Sequence, residues 1–262
     1  METVEFSVQD SVAIICLNRP ESMNAVNLQM MEDLERCQKE ILADTSIRAL
    51  IVTGKGKGFC VGADLKALMG AKTPSVGVEE LLQFGKQSFM TSLNMPVPVV
   101  SAINGVAAGG GVGMALSADV IIAARSASFV QTFGPKLALA PDYCASWFYT
   151  QMLGAARALP LMLLGDKLSA EQAADWGLIW KAVDDEQLFD EAMKVARQLA
   201  DGPSESYRRI RHQVRQAQFN SLEQQYDLEA KNNTDLSAQD DFIEGISAFM
   251  EKRKPKFSPR QS

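Results

Sequence analysis

Chemistry in this chain concentrates at two glycine-rich passages and one acidic residue beyond them. The residues Ile103-Asn104-Gly105-Val106-Ala107-Ala108-Gly109-Gly110-Gly111-Val112-Gly113 follow a β-branched run and lead into a long apolar passage. The backbone can turn there without Cβ interference and enter a helix near Gly111. Unpaired amides at such a turn, close to a helix N-terminus, attract an anion or a developing oxyanion. A plain tight turn with close strand–helix packing explains the same glycines, and both readings stand at this point. Two nucleotide sites are excluded by spacing. No Gly-Lys-Ser/Thr closes a phosphate loop, and no acid ends a second strand about 20 residues on, as a dinucleotide site needs. A second glycine-rich passage, Gly54-Lys55-Gly56-Lys57-Gly58-Phe59-Cys60-Val61-Gly62-Ala63-Asp64, ends in a residue suited to capping a helix. Downstream, Ala140-Pro141-Asp142 places an acid just before an aromatic-rich helix. Asp142 can cap that helix from Tyr143, or it can move protons.

The elements that must position these residues follow from periodicity. Residues 4–8 alternate and 12–17 are nearly all apolar, with Gln9-Asp10-Ser11 between them, which predicts a hairpin. Asn27 is suited to cap a helix to about residue 43, with Leu28, Met31, Leu34 and Ile41 at helical spacing. Short buried strands are expected over 49–53, up to 103, over 120–124 and over 179–183. A polar loop over 70–78 should precede a helix over 78–93. Helices are expected over 143–153 and 156–164, and Ser169 with Gln172 makes a capping-box pattern for a further short one. Beyond residue 186 the pattern is helical, with breaks at Gly202-Pro203, Ser221 and Ser237. Strands alternate with helices to about residue 185, which reads as α/β with a helical appendage.

Composition sets the outer bounds. The chain has 262 residues, 47% of them apolar and 22% charged, ordinary for a soluble globular protein. Its formal charge of −6 argues against a general nucleic-acid binder, although Tyr207-Arg208-Arg209-Ile210-Arg211 is locally basic. The four cysteines form no Cys-x-x-Cys pair and read as buried free thiols in a reducing compartment. That cysteine spacing implies no zinc centre, and no metal centre is expected. Since no apolar run reaches about 18 residues and the N-terminus has no basic and apolar leader pattern, no membrane association and a cytoplasmic location are expected. Cys144 reads as a small helical residue, since no histidine lies near it in sequence to activate it. His212, the only histidine, reads as structural.

Four stretches together carry a family resemblance. They are Phe59-Cys60-Val61-Gly62-Ala63-Asp64-Leu65, the cluster from Ile103 to Gly111, Leu168-Ser169-Ala170-Glu171-Gln172-Ala173 with Trp176-Gly177-Leu178, and the C-terminal Phe249-Met250-Glu251-Lys252-Arg253-Lys254-Pro255-Lys256-Phe257. In order and at this spacing they resemble the crotonase (enoyl-CoA hydratase/isomerase) superfamily over nearly the whole chain. The resemblance implies an α/β spiral of ββα units over residues 1–200. It also implies a C-terminal helical region over 201–262 that covers the active site and trimerises, often into a hexamer as a dimer of trimers. The implied substrate is a coenzyme A thioester with no separate cofactor.

Carried over residue by residue, the resemblance assigns two oxyanion amides to Ala63 and Gly110 and substrate contacts to Ala25, Ala63, Asp64, Leu65, Gly109, Gly110 and Phe133. Hydratases of the family carry a glutamate where Gly113 stands, and a second within what is here Gln131-Thr132-Phe133-Gly134-Pro135. Neither acid is present, so hydration that needs two carboxylates is disfavoured. Asp142 matches the single catalytic aspartate of the superfamily's ring-epoxide and enoyl-CoA isomerases. One carboxylate can take a proton from one carbon and return it to another. The family commonly has two glycines after this acid, whereas here Tyr143-Cys144 follows and crowds the pocket floor. Three other readings remain open: an aryl-CoA dehalogenase, although Lys86 and Phe133 replace its histidine and tryptophan; a naphthoyl-CoA synthase; and a non-catalytic acyl-CoA-binding partner subunit.

Overall fold

Each strand that periodicity predicts in the middle of the chain is followed by a shorter one that it misses. The structure, a computed structural model, describes residues 1–260. It opens with the predicted hairpin, β1 (Val4–Gln9) and β2 (Val12–Leu17), in antiparallel register from Val4 opposite Leu17 to Gln9 opposite Val12. The helix α1 (Leu28–Ala43) follows, and Asn27 Oδ1 caps it by accepting from the Met30 amide at 2.9 Å. Such a cap contributes about 1 kcal/mol.

Then come β3 (Ala49–Gly54), β4 (Gly58–Cys60) and α2 (Leu65–Met69), with α3 (Pro74–Leu93) after them. The same order returns as β5 (Val99–Ile103), β6 (Val106–Ala108) and α4 (Gly110–Leu116), and again as β7 (Val120–Ala124) and β8 (Ser128–Val130) with a π turn over Phe133–Leu137. The chain continues through α5 (Ala145–Leu153), α6 (Ala155–Leu164), β9 (Leu168–Ser169), α7 (Ala170–Asp175), β10 (Lys181–Val183) and α8 (Leu188–Ala200). It ends in α9 (Ser204–Gln216), α10 (Leu222–Ser237) and α11 (Asp240–Glu251), with breaks at the predicted places.

From β3 to β8, odd and even strands separate into two sheets. One sheet is ordered β1-β2-β3-β5-β7-β10 and the other β4-β6-β8-β9. Within each, the consecutive units pair in parallel, so every ββα unit adds one strand to each sheet and advances the spiral by one step. Parallel strands lie buried on both faces and need continuous apolar runs, which is why Val99–Ile103 has no exposed residue. The helix α8 packs across β2, β3, β5 and β7, and α1 packs on β1, β2 and α3. Arg211 ties α9 to the core by donating to Asp119 at 2.7 Å and to the carbonyl of Val97 at 3.0 Å. Among the described residues no helix is long and apolar enough to cross a membrane.

Three boundaries differ from expectation. The helix expected over 78–93 begins at Pro74, because Thr73 Oγ1 accepts from Val76 and proline is tolerated at a first helical position. The strand expected over 179–183 begins at Lys181. The helix expected from Tyr143 begins only at Ala145, since Tyr143 and Cys144 both take left-handed backbone, at φ +47° and +56°.

Candidate active site

The two glycine-rich passages meet through Gly62 and Gly110. A Cβ built on Gly62 would stand 3.0 Å from the Gly110 nitrogen and 3.1 Å from the Ala108 carbonyl oxygen, and Gly62 has φ +84°. Only glycine allows this approach. Beside it, Val26 forms a parallel bridge with Ala63: its amide donates to Gly62 O at 2.7 Å, and its carbonyl accepts from Asp64 N at 2.8 Å. In a parallel bridge the residue between the two bonded neighbours faces away, which leaves the Ala63 N–H pointing off the bridge.

Gly110 is the first residue of α4, where an amide has no partner within its helix. Among the described residues, neither the Ala63 nor the Gly110 amide donates to any acceptor in the chain. Gly109, at φ +53° and ψ −129°, makes the turn into the helix and donates to Val130 O at 3.0 Å.

Asp64 is occupied by structural work. Its Oδ1 caps α2 by accepting from Lys66 and Ala67, and its Oδ2 pairs with Arg19 Nη2 at 2.8 Å. Arg19 also donates to the Ala25 carbonyl, so one guanidinium holds Ala25 and Asp64 on the two sides of the bridge. Leu65 starts α2 and is half exposed. Phe133 is buried and closes the other side, its Cζ 3.6 Å from a Cβ built on Gly109.

Asp142 joins the second passage. A Cβ on Gly110 would stand 2.8 Å from Asp142 Oδ1, and that oxygen is buried without a hydrogen-bond partner. The capping reading is therefore corrected: the N-cap of α5 is Cys144, which makes no side-chain cap, and Asp142 reaches the helix only through its carbonyl, which accepts from Ala145. Burial pushes the Asp142 carboxyl up to about 6, opposed only by its own backbone amide. Asp33 makes the contrast. It too is buried, which by itself would raise it, but the amides of Glu2 and Thr3, the Thr3 hydroxyl and Gln29 donate to it and hold it below the usual carboxylate range. A buried acid whose Oδ1 has no partner and whose pKa burial raises is a candidate functional group.

Gly113 lies under the next residue. A Cβ there would overlap the carbonyl oxygen of Tyr143 and stand 2.8 Å from Tyr143 Cβ. The left-handed pair Tyr143-Cys144, each costing about 1–2 kcal/mol, is what folds the backbone over this glycine. Of the remaining candidates, Cys144 is exposed, Cys60 is buried and pushed up to about 12 chiefly by that burial, and His212 is exposed on α9. The site thus gathers Ala25, Ala63, Asp64, Gly109, Gly110, Phe133 and Asp142. To these it adds Arg19, Gly62 and Tyr143. Sequence reading did not assign roles to Arg19 and Gly62, and it marked Tyr143 only as crowding.

Comparison with known proteins shows the family of the chain. The sequence profile of the family described as Enoyl-CoA hydratase/isomerase matches residues 7–260. The chain is 42% identical over 261 residues to the 1,2-epoxyphenylacetyl-CoA isomerase of Escherichia coli K12, covering 98% of this chain and 99% of that protein. It is 36% identical over 259 residues to a Rhodobacter capsulatus protein named as a probable enoyl-CoA hydratase, covering 98% of each. Among solved structures, the enoyl-CoA hydratase of Bacillus anthracis superposes with a TM-score of 0.92 at 29% identity, covering 98% of this chain and 99% of that one.

Proposed function

Because the chain belongs to the enoyl-CoA hydratase/isomerase family, we propose that it is an acyl-CoA isomerase that uses Asp142 as its single acid and base. It shifts a double bond, or rearranges a ring acyl group, through a thioester enolate. In this reading the thioester carbonyl oxygen accepts from the Ala63 and Gly110 amides. Asp142 takes a proton from the α or γ carbon, electron density moves onto the carbonyl oxygen, and the same carboxyl returns the proton at the other carbon. Preorganised amides stabilise such an enolate, each donor being worth about 10²–10³ in rate. An acid near 6 suits both halves of the transfer, since a proton carrier works best close to the operating pH.

The observation that carries this reading is the unpaired Asp142 Oδ1 beside Gly110. Hydration is disfavoured by Gly113, where the second passage offers no side chain and Tyr143 leaves no room for one. Dehalogenation is disfavoured because Lys86 is exposed to solvent on α3. A cap-only Asp142 would have favoured the non-catalytic reading, and its side chain does not cap α5. Purified protein should isomerise 3-enoyl-CoA thioesters in a spectroscopic assay and hydrate 2-enoyl-CoA thioesters far more slowly. Hydration without isomerisation would overturn the assignment.

The same proposal extends to assembly. Leu222, Tyr226 and Phe249 are 91%, 72% and 85% exposed on α10 and α11. Apolar side chains left so open on adjacent helices favour burial against a second and third copy of the chain.

A further inference from the structure

Tyr143 spans the distance between the acid and an internal cavity. One edge of its ring, Cδ2, lies 3.3 Å from the Cβ position of Gly110, the point that Asp142 Oδ1 also borders. Its hydroxyl lies against Gly85 of α3, where any Cβ would overlap it, with the Met31 methyl of α1 alongside. Phe89 meets the ring edge-on at 5.2 Å and 75°. Beyond the ring is a cavity of about 50 Å³, walled by Val26, Met31, Leu34, Phe89, Met114 and Tyr143 itself. Several polar groups on the same wall are already bonded: Gln38 donates to Ser88 O and Ser92 Oγ, and Ser117 donates to Met114 O, while Ser101 also lines the cavity. What remains open is mainly hydrocarbon surface, which suits a hydrocarbon.

Two glycines, Gly85 and Gly113, make room for this one side chain. The residue is held in left-handed backbone that a tyrosine does not adopt without support. Such an outlier persists only when its surroundings fix it, and here they fix it between catalysis and empty space. We infer that Tyr143 is the stop that sets acyl-chain length, closing the acyl site short of the cavity between α1 and α3. The inference rests on the proposed acyl-CoA chemistry at Asp142. A smaller residue at position 143 joins the cavity to the site and admits longer chains.

The test is calorimetric binding of saturated straight-chain acyl-CoA thioesters, butanoyl to decanoyl, to the wild type and to Tyr143→Phe, Tyr143→Leu and Tyr143→Ala. Saturated thioesters cannot isomerise, so the readout does not depend on turnover. One methylene in an apolar pocket discriminates by about 10-fold or more, so the Leu and Ala variants should favour the long thioesters over the short by at least about 10-fold relative to wild type. Tyr143→Phe keeps the ring and should keep the wild-type length profile. Should the Ala variant fail to fold, the Leu variant decides. An unchanged length ratio in a folded Leu or Ala variant overturns the inference, even if the wild type isomerises enoyl thioesters. Binding with the expected length shift but no isomerisation overturns the isomerase reading and leaves the stop in place. A wild type that binds no acyl-CoA overturns both.

Discussion

The Asp142 carboxylate lies over the first residue of α4, with Oδ1 2.8 Å from where a Gly110 Cβ would be. Amides at a helix N-terminus favour a negative charge, yet none donates to this oxygen, and burial raises the acid to about 6 instead. The donors of the turn are left for another oxygen, and the carboxyl is left able to change protonation state.

Asp142→Asn keeps the shape and removes the basicity. Isomerisation should fall by about 10²–10⁴, as loss of a general base does. Asp142 does not cap α5, so Asp142→Ala should not show the cap loss of about 1 kcal/mol. Turnover and thermal melting of both variants check this, and a fully active Asn variant would remove Asp142 from the chemistry.

The pH dependence has two signs. Isomerisation needs the ionised carboxylate to begin, so kcat/KM should be level above about pH 6 and fall about tenfold per unit below it. Stability runs the other way. The folded acid at about 6 lies above its unfolded value of 3.8, so the native state holds more protons between the two. Stability should therefore be greatest below about 4 with respect to this group and decline toward pH 6, by at most about 3 kcal/mol at 1.36 per unit. Denaturant unfolding of wild type and Asp142→Asn at matched pH isolates the difference, which should flatten in the variant.

Gly113→Ala should destabilise the protein even though it sits in a helix. Exchanging glycine for alanine in a helix gains about 1 kcal/mol, but overpacking costs about 1–3, and here the new methyl meets the Tyr143 backbone, which cannot rotate aside. A lower melting temperature is expected. A higher one would mean that Tyr143 does not cover Gly113.

The Gly110 donor needs a gentle probe. Gly110→Pro deletes the N–H, but its ring carbons would press on Asp142. Replacing the amide by an ester at position 110 through semisynthesis removes the donor alone, and turnover should fall by about 10²–10³. Unchanged turnover would exclude Gly110 as an oxyanion donor.

Assembly is checked by light scattering. The exposed Leu222, Tyr226 and Phe249 predict a trimer or a hexamer at micromolar concentration, and a monomer would refute it.

Local signals in the sequence were reliable where one residue type decides the outcome. Asn27 caps α1, Asp64 caps α2, and Ser221 and Gly202-Pro203 break the last helices. The strands β4, β6 and β8 were invisible because three residues give no period to read. Asp142 looked like a cap because nothing in a tyrosine–cysteine pair announces left-handed backbone, and only that backbone delays α5 to Ala145. The contact between Asp142 and Gly110 is tertiary. It was accessible through family resemblance, since periodicity cannot bring two distant loops together.

The bridge between Val26 and Ala63 also leaves a mark on exchange with solvent deuterium. Val26 and Asp64 amides are hydrogen-bonded within it, and Gly109 and Val112 amides are bonded around the second turn. Each of the two free amides is thus flanked by a bonded one. Ala63 and Gly110 can exchange without any hydrogen bond opening, whereas those neighbours must wait for the structure to open. A bound thioester carbonyl would give both free amides the acceptor they lack. Two isolated fast-exchanging sites would then slow together, recording occupancy of the site without any catalytic turnover.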